Sequence, residues 1–165
     1  MLSTMLRKLP LWAVDEVHVE KAEDTNCYRR LVEWNFNRRL MLMLYVKKTF
    51  WNNQTIRERY SELASFYPVG LHVHIAIEPE IDCVSYEKQF EAIKCGVDFL
   101  KDCGVTVKDF TAGWFSFNTD TLRVCRELGL KMHIWHGQEW KVTVPVETVR
   151  VRRVIHDWEL TGERR

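Results

Sequence analysis

Leu40–Val46 is an unbroken run of seven apolar residues. A membrane helix needs about 20 such residues, so the run is too short to span a bilayer. Nor does it alternate, as a strand with one wet face would. It fits a strand buried on both sides, the kind found in parallel sheets covered by helices. Its neighbours fit the same architecture. Trp12–Val19 reads as a preceding strand, and Asp24–Asn35 as a helix with Cys27, Leu31 and Trp34 on one face. Ile56, Tyr60, Leu63 and Tyr67 step at +4, +3 and +4 behind a capping box at Thr55 and Glu58. Gly70–Ile77, Val105–Thr111 and Lys131–His136 read as further strands. Ser85 and Asn118 open helices that Gly104 and Gly129 close. Lys141–Ile155 is β-branched and alternating. Strand–helix repetition predicts an α/β fold with parallel strands. Neither GxGxxG nor GxxxxGK(S/T) follows the first strand, so a nucleotide-binding open sheet has no motif behind it. The expected architecture is a distorted or incomplete (β/α) barrel of parallel strands with a β-rich C-terminal segment, formed as one domain by residues 1–165. In such folds, sites collect at the C-terminal ends of the strands.

Composition excludes several functions. Lys plus Arg number 24 and Asp plus Glu 23, a formal charge of +1, which argues against a nucleic-acid partner held by a broad basic face. Hydrophobic residues make up 46% and charged ones 28%, so the chain is globular rather than disordered. The five cysteines (Cys27, Cys83, Cys95, Cys103 and Cys125) are odd in number and lack CxxC spacing, which predicts reduced thiols rather than disulfides or a zinc knuckle. No long apolar stretch opens the sequence, and the expectation is a cytoplasmic protein with no membrane partner. Aromatics reach 12%, which leaves a homo-oligomer interface open.

Chemistry concentrates in four places. In Gly70-Leu71-His72-Val73-His74, alternation puts His72 and His74 on one face, roughly 6–7 Å apart along the strand. Paired imidazoles at that spacing either converge on a metal such as zinc or pack as hydrogen-bonded core residues. A metal site needs a further ligand, and the first strand offers the acidic pair Asp15-Glu16, which otherwise marks a strand end. His156 closes the last apolar segment, where it is either an acid for catalysis or a surface residue. Trp114 and Phe115, with Trp135 and His136 at the next strand end, form either a stacking wall for a flat ligand or a packed apolar loop. Trp140 admits the same two readings.

In this order the segments resemble the polysaccharide deacetylase superfamily, the NodB-homology or carbohydrate esterase family 4 group. The resemblance lies in FTAGWFSFNTDTLRVCRELGL and KMHIWHG over 110–137, GLHVHI at 70–75, VDEV at 14–17 and IHDWEL at 155–160. It implies a distorted (β/α) barrel that hydrolyses a non-peptide C–N bond, usually an N-acetyl group on a carbohydrate, with one divalent metal, often zinc. By position it implies Asp15 as general base, Glu16 and His72 as metal ligands, His156 as general acid and Trp114 as a substrate-facing aromatic. Three positions depart from the family pattern, the first being Glu16, which with Asp15 replaces the family's paired Asp-Asp. The second metal histidine is replaced by Ala76, so His74 or Glu78 has to substitute, and Thr111 stands where the family has an arginine. The expected function is therefore a divergent metal-dependent deacetylase-type hydrolase of a small-molecule or carbohydrate substrate. The alternatives are an inactive barrel that binds a carbohydrate or protein, and a metal-independent amidohydrolase.

Overall fold

A computed structural model describes residues 13–34, 40–74, 84–138 and 144–161. Among the described residues six strands, β1 (Val14–Val19), β2 (Leu40–Tyr45), β3 (Val69–Val73), β4 (Asp109–Ala112), β5 (Lys131–Trp135) and β6 (Thr148–His156), carry four α-helices between them. These are α1 (Thr25–Glu33), α2 (Gln54–Phe66), α3 (Tyr86–Asp102) and α4 (Thr119–Glu127). Every strand pairs in parallel with the next, and β6 pairs back onto β1, so the sheet closes into a barrel. The parallel (β/α) barrel read from the sequence is present. Its closure is complete, and the β-rich C-terminal segment is the strand that completes it.

Strand alternation divides the side chains into two sets. Val17, Val19, Leu42, Leu44, Leu71, Phe110, Met132 and Ile134 are buried in one continuous apolar core. The helices supply its outer half: Leu31 from α1, Ile56, Tyr60 and Leu63 from α2, Ile93, Phe99 and Leu100 from α3, and Leu122 and Val124 from α4. Alternate positions carry buried polar side chains, Glu16, His18, His72, Thr111 and His133, with Met43 from β2 beside them. A six-stranded barrel is narrower than the eight-stranded kind, whose interior side chains just fill. Here that narrow interior holds a hydrogen-bonded polar network.

Capping sets the helix ends. Asp24 accepts from the amides of Asn26 and Cys27, and Asn118 and Thr121 form a reciprocal capping box. Gly104 and Gly129 follow α3 and α4 with φ of 78° and 66°. Two expectations shift. The cap of α2 is Asn53, which accepts from the Ile56 amide at 3.1 Å, so Thr55 lies inside the first turn. β4 begins at Asp109 rather than Val105, because the Val105 amide donates to the Leu100 carbonyl at 2.8 Å and closes α3 instead of pairing in the sheet. Trp34 is not in the core; it caps the C-terminus of α1 and is 36% exposed. Cys27, Cys95, Cys103 and Cys125 are free thiols. Trp12, Ile77, Ala76, Glu78, Cys83, Trp140 and residues 141–143 lie outside the described residues. Among the described residues, no helix is long and apolar enough to cross a membrane.

Candidate metal centre

β3 delivers His72 fully buried and His74 just past its end, with their Nε2 atoms 2.8 Å apart. Glu20, one residue beyond β1, brings Oε1 to 3.3 Å from His72 Nε2 and 3.5 Å from His74 Nε2. All three ligand atoms lie within 4.8 Å of one another. The tautomer of His72 is fixed by its neighbour, since Nδ1 donates to the Thr111 carbonyl at 3.0 Å. Burial, reinforced by the adjacent imidazoles, pushes His72 down to about 4 against the pull of Glu20, so at neutral pH it holds a single proton. That proton sits on Nδ1. Nε2 is therefore a bare lone pair facing a second imidazole nitrogen and a carboxylate oxygen. A cation is the natural complement of this arrangement. Two imidazoles and one carboxylate are a catalytic-zinc ligand set, and the Thr111 carbonyl behind His72 is the outer-shell partner such ligands need. The residues present fit a divalent metal.

The His74 ring sits against Gly113, where a Cβ would lie 2.7 Å from Nδ1 and 2.8 Å from Cγ. We expect Gly113→Ala to displace the imidazole and weaken zinc binding by about 10–100-fold, the range seen when ligand support is lost. Zinc titration with circular dichroism on the same sample checks this, because the fold should survive the change.

Below this cluster lies a buried chain of charges. His133 donates from Nδ1 to Glu16 Oε1 at 2.5 Å and from Nε2 to Asp109 Oδ1 at 2.9 Å. Glu16 also accepts from Thr111 Oγ1 at 2.8 Å and from His18 Nε2 at 2.8 Å. Burial opposes both charges. Even so, the mutual bonds push His133 up to about 9 and hold Glu16 down to about 2. The result is an imidazolium flanked by carboxylates inside the barrel.

The sites expected from sequence therefore separate. His72 and His74 converge. Glu16 lies in the barrel interior, bonded to His133, Thr111 and His18. The carboxylate in the cluster is Glu20, which sequence reading missed. Asp15 takes a bidentate bond from Arg152, at 2.8 and 2.5 Å, with Arg153 at 3.8 Å. It sits five positions before Glu20, roughly 16 Å back along an extended chain. His156 does face the centre, with Nε2 3.9 Å from Glu20 Oε1, and its ring stacks on Trp158 at 4.2 Å.

The four aromatic-wall residues also gather at this end. Trp114 is 72% exposed and meets the His74 ring edge-on at 6.2 Å. Phe115 contacts Trp135 at 5.8 Å, and Trp135 contacts His136 at 4.5 Å. Trp114 and Phe115 both adopt positive φ, 57° and 53°. That conformation costs about 1–3 kcal/mol per residue and clusters at functional sites. A pocket of about 280 Å³ adjoins Glu20, lined by Lys21, Tyr45, Lys47, His74 and Trp158.

No family model and no curated protein matches the sequence. Solved structures do. A carbohydrate esterase family 4 (CE4) pseudoenzyme from Bacillus anthracis superposes with a TM-score of 0.63 at 12% identity, over 91% of this chain and 56% of its own. A family 4 carbohydrate esterase from Streptomyces lividans, solved with acetate, superposes at 0.54 and 12% identity, over 91% of this chain and 81% of its own. A 4-alpha-glucanotransferase from Thermococcus litoralis superposes at 0.61 and 12% identity, over 90% of this chain and 28% of its own. The chain thus spans a little over half the length of the pseudoenzyme. At these identities the likeness is one of fold: a CE4-type (β/α) barrel.

Proposed function

We propose that this barrel is a metal-dependent hydrolase of a non-peptide C–N bond, of deacetylase type, acting on a carbohydrate or similar N-acylated substrate. The observation that carries the reading is the convergence of Glu20, His72 and His74 at the C-terminal mouth of the barrel. Glu20, His72 and His74 would hold a divalent ion, zinc by their donor set, which would supply polarisation of the scissile carbonyl and a lowered pKa for water, toward about 7. The chain's own residues do the rest. Thr111 locks the His72 tautomer through its carbonyl. His156, its Nδ1–H held by Glu159, faces the centre from β6 with Nε2, which takes a proton from the attacking water and delivers it to the leaving amine. Trp114 offers an exposed ring to the sugar. Trp114→Ala should raise KM on the order of 5–10-fold with kcat little changed, as loss of a stacking contact does. Steady-state kinetics on an N-acetylated oligosaccharide checks this.

A second reading, a barrel that binds carbohydrate without turnover, is favoured by the capture of Asp15 by Arg152. That pair withdraws the carboxylate that the family resemblance makes the base. The experiment that separates the readings is deacetylation of N-acetylated sugars by metal-stripped protein with zinc added back. Release of acetate that depends on zinc supports the hydrolase. Saturable sugar binding without release supports the inactive barrel. Turnover that survives chelation overturns both and points to a metal-independent amidohydrolase.

A further inference from the structure

We propose that Glu20 is shared between two divalent cations, one held with His72 and His74 and the other with His18 and His156. The proposal rests on reading the first three residues as a metal site and adds a second ion beside it.

Two groups of ligand atoms, Glu20–His72–His74 and His18–Glu20–His156, each fall within 4.8 Å, and the carboxylate is common to both. Glu20 Oε1 lies 3.3, 3.5 and 3.9 Å from Nε2 of His72, His74 and His156. The four rings form one cluster, with centroids 4.2 Å apart for His18 and His72, 4.6 Å for His72 and His74, and 5.4 Å for His18 and His156.

The outer contacts of the second group resemble those of the first. His18 donates Nε2–H to Glu16 at 2.8 Å, which leaves Nδ1 as its lone-pair nitrogen. His156 donates Nδ1–H to Glu159 at 3.0 Å, which leaves Nε2 toward Glu20. Each ring thus has a carboxylate on its far nitrogen, the carboxylate–histidine–metal arrangement that orients metal-bound imidazoles. Stacking on Trp158 holds the His156 ring plane as well. A single carboxylate surrounded by four imidazoles lacks the positive charge those lone pairs complement. Two cations about 3.5–4 Å apart, as in two-metal hydrolytic sites, supply it. Nitrogen and carboxylate donors suit zinc and its neighbours. Filling the second site takes His156 out of proton transfer, so the second equivalent is inhibitory.

Zinc titrated into the chelator-stripped, full-length chain, with bound metal counted by mass spectrometry, tests this. We expect two equivalents for the wild type, one for His156→Ala and none for Glu20→Gln, with turnover falling as the second equivalent binds. Cobalt(II) gives a readout that needs no variant. Two ions bridged by one carboxylate couple magnetically, so the paramagnetic resonance signal at two equivalents should be less than twice that at one. A wild type that binds one ion, lost in His72→Ala and kept in His156→Ala, overturns the second site and leaves the first. Two equivalents that persist in His156→Ala, or uncoupled cobalt, overturn the shared carboxylate. A chain that binds no metal overturns both sites.

Discussion

Glu20→Gln should lower zinc affinity on the order of 100-fold or more, beyond what loss of outer-shell support costs. The amide keeps the shape of the side chain and removes its charge. Glu20 sits past the end of β1, partly exposed, and its oxygen faces imidazoles rather than apolar core. The apo protein should therefore fold normally and melt close to wild type. Calorimetric titration with zinc, paired with thermal melts with and without the ion, reads both effects. Zinc should raise the wild-type melting temperature and leave the variant's unchanged. Glu20→Gln binding zinc as tightly as the parent would remove Glu20 from the centre.

Glu16→Gln should cost about 3–5 kcal/mol of folding stability at neutral pH, because it strips one partner from a buried ion pair. His133 is then a buried imidazolium that keeps only Asp109. The effect has a pH signature. His133 is raised to about 9, so its contribution is complete below its ordinary 6.5 and disappears as pH climbs through 9. Glu16 is held at about 2, so its contribution is complete above its ordinary 4.5 and disappears as pH falls through 2. Stability from this pair should therefore plateau between about pH 4.5 and 6.5 and decline on both sides. In Glu16→Gln the acid-side decline should shrink. Urea unfolding at several pH values measures this. A variant within 1 kcal/mol of the parent at pH 7 would mean the barrel interior does not depend on the pair.

Much of the barrel could be read along the chain. Apolar runs mark the strands, Asp24, Ser85 and Asn118 mark helix starts, and Gly104 and Gly129 mark helix ends, all local signals. Two residues of the candidate centre were legible where alternation applied, at His72 and His74. The same alternation links Glu16, His18 and Glu20, but Glu20 lies one residue beyond Val19, where both the strand read from the sequence and β1 end. The partners that decide the roles are distant in sequence. Arg152 reaches Asp15 across 137 positions, and His133 reaches Glu16 across 117. Neither contact leaves a local pattern. Asn53 outcompeted Thr55 as a cap because its side chain meets the Ile56 amide one turn in.

Anomalous diffraction at the zinc absorption edge, from crystals grown with zinc, reads directly whether Glu20, His72 and His74 hold the ion. A peak is expected at the mouth of the barrel, about 2.0–2.1 Å from Nε2 of His72 and of His74 and about 2.0–2.2 Å from a Glu20 carboxylate oxygen. Crystals with no peak among these three side chains, or with zinc only at surface residues elsewhere, would contradict it.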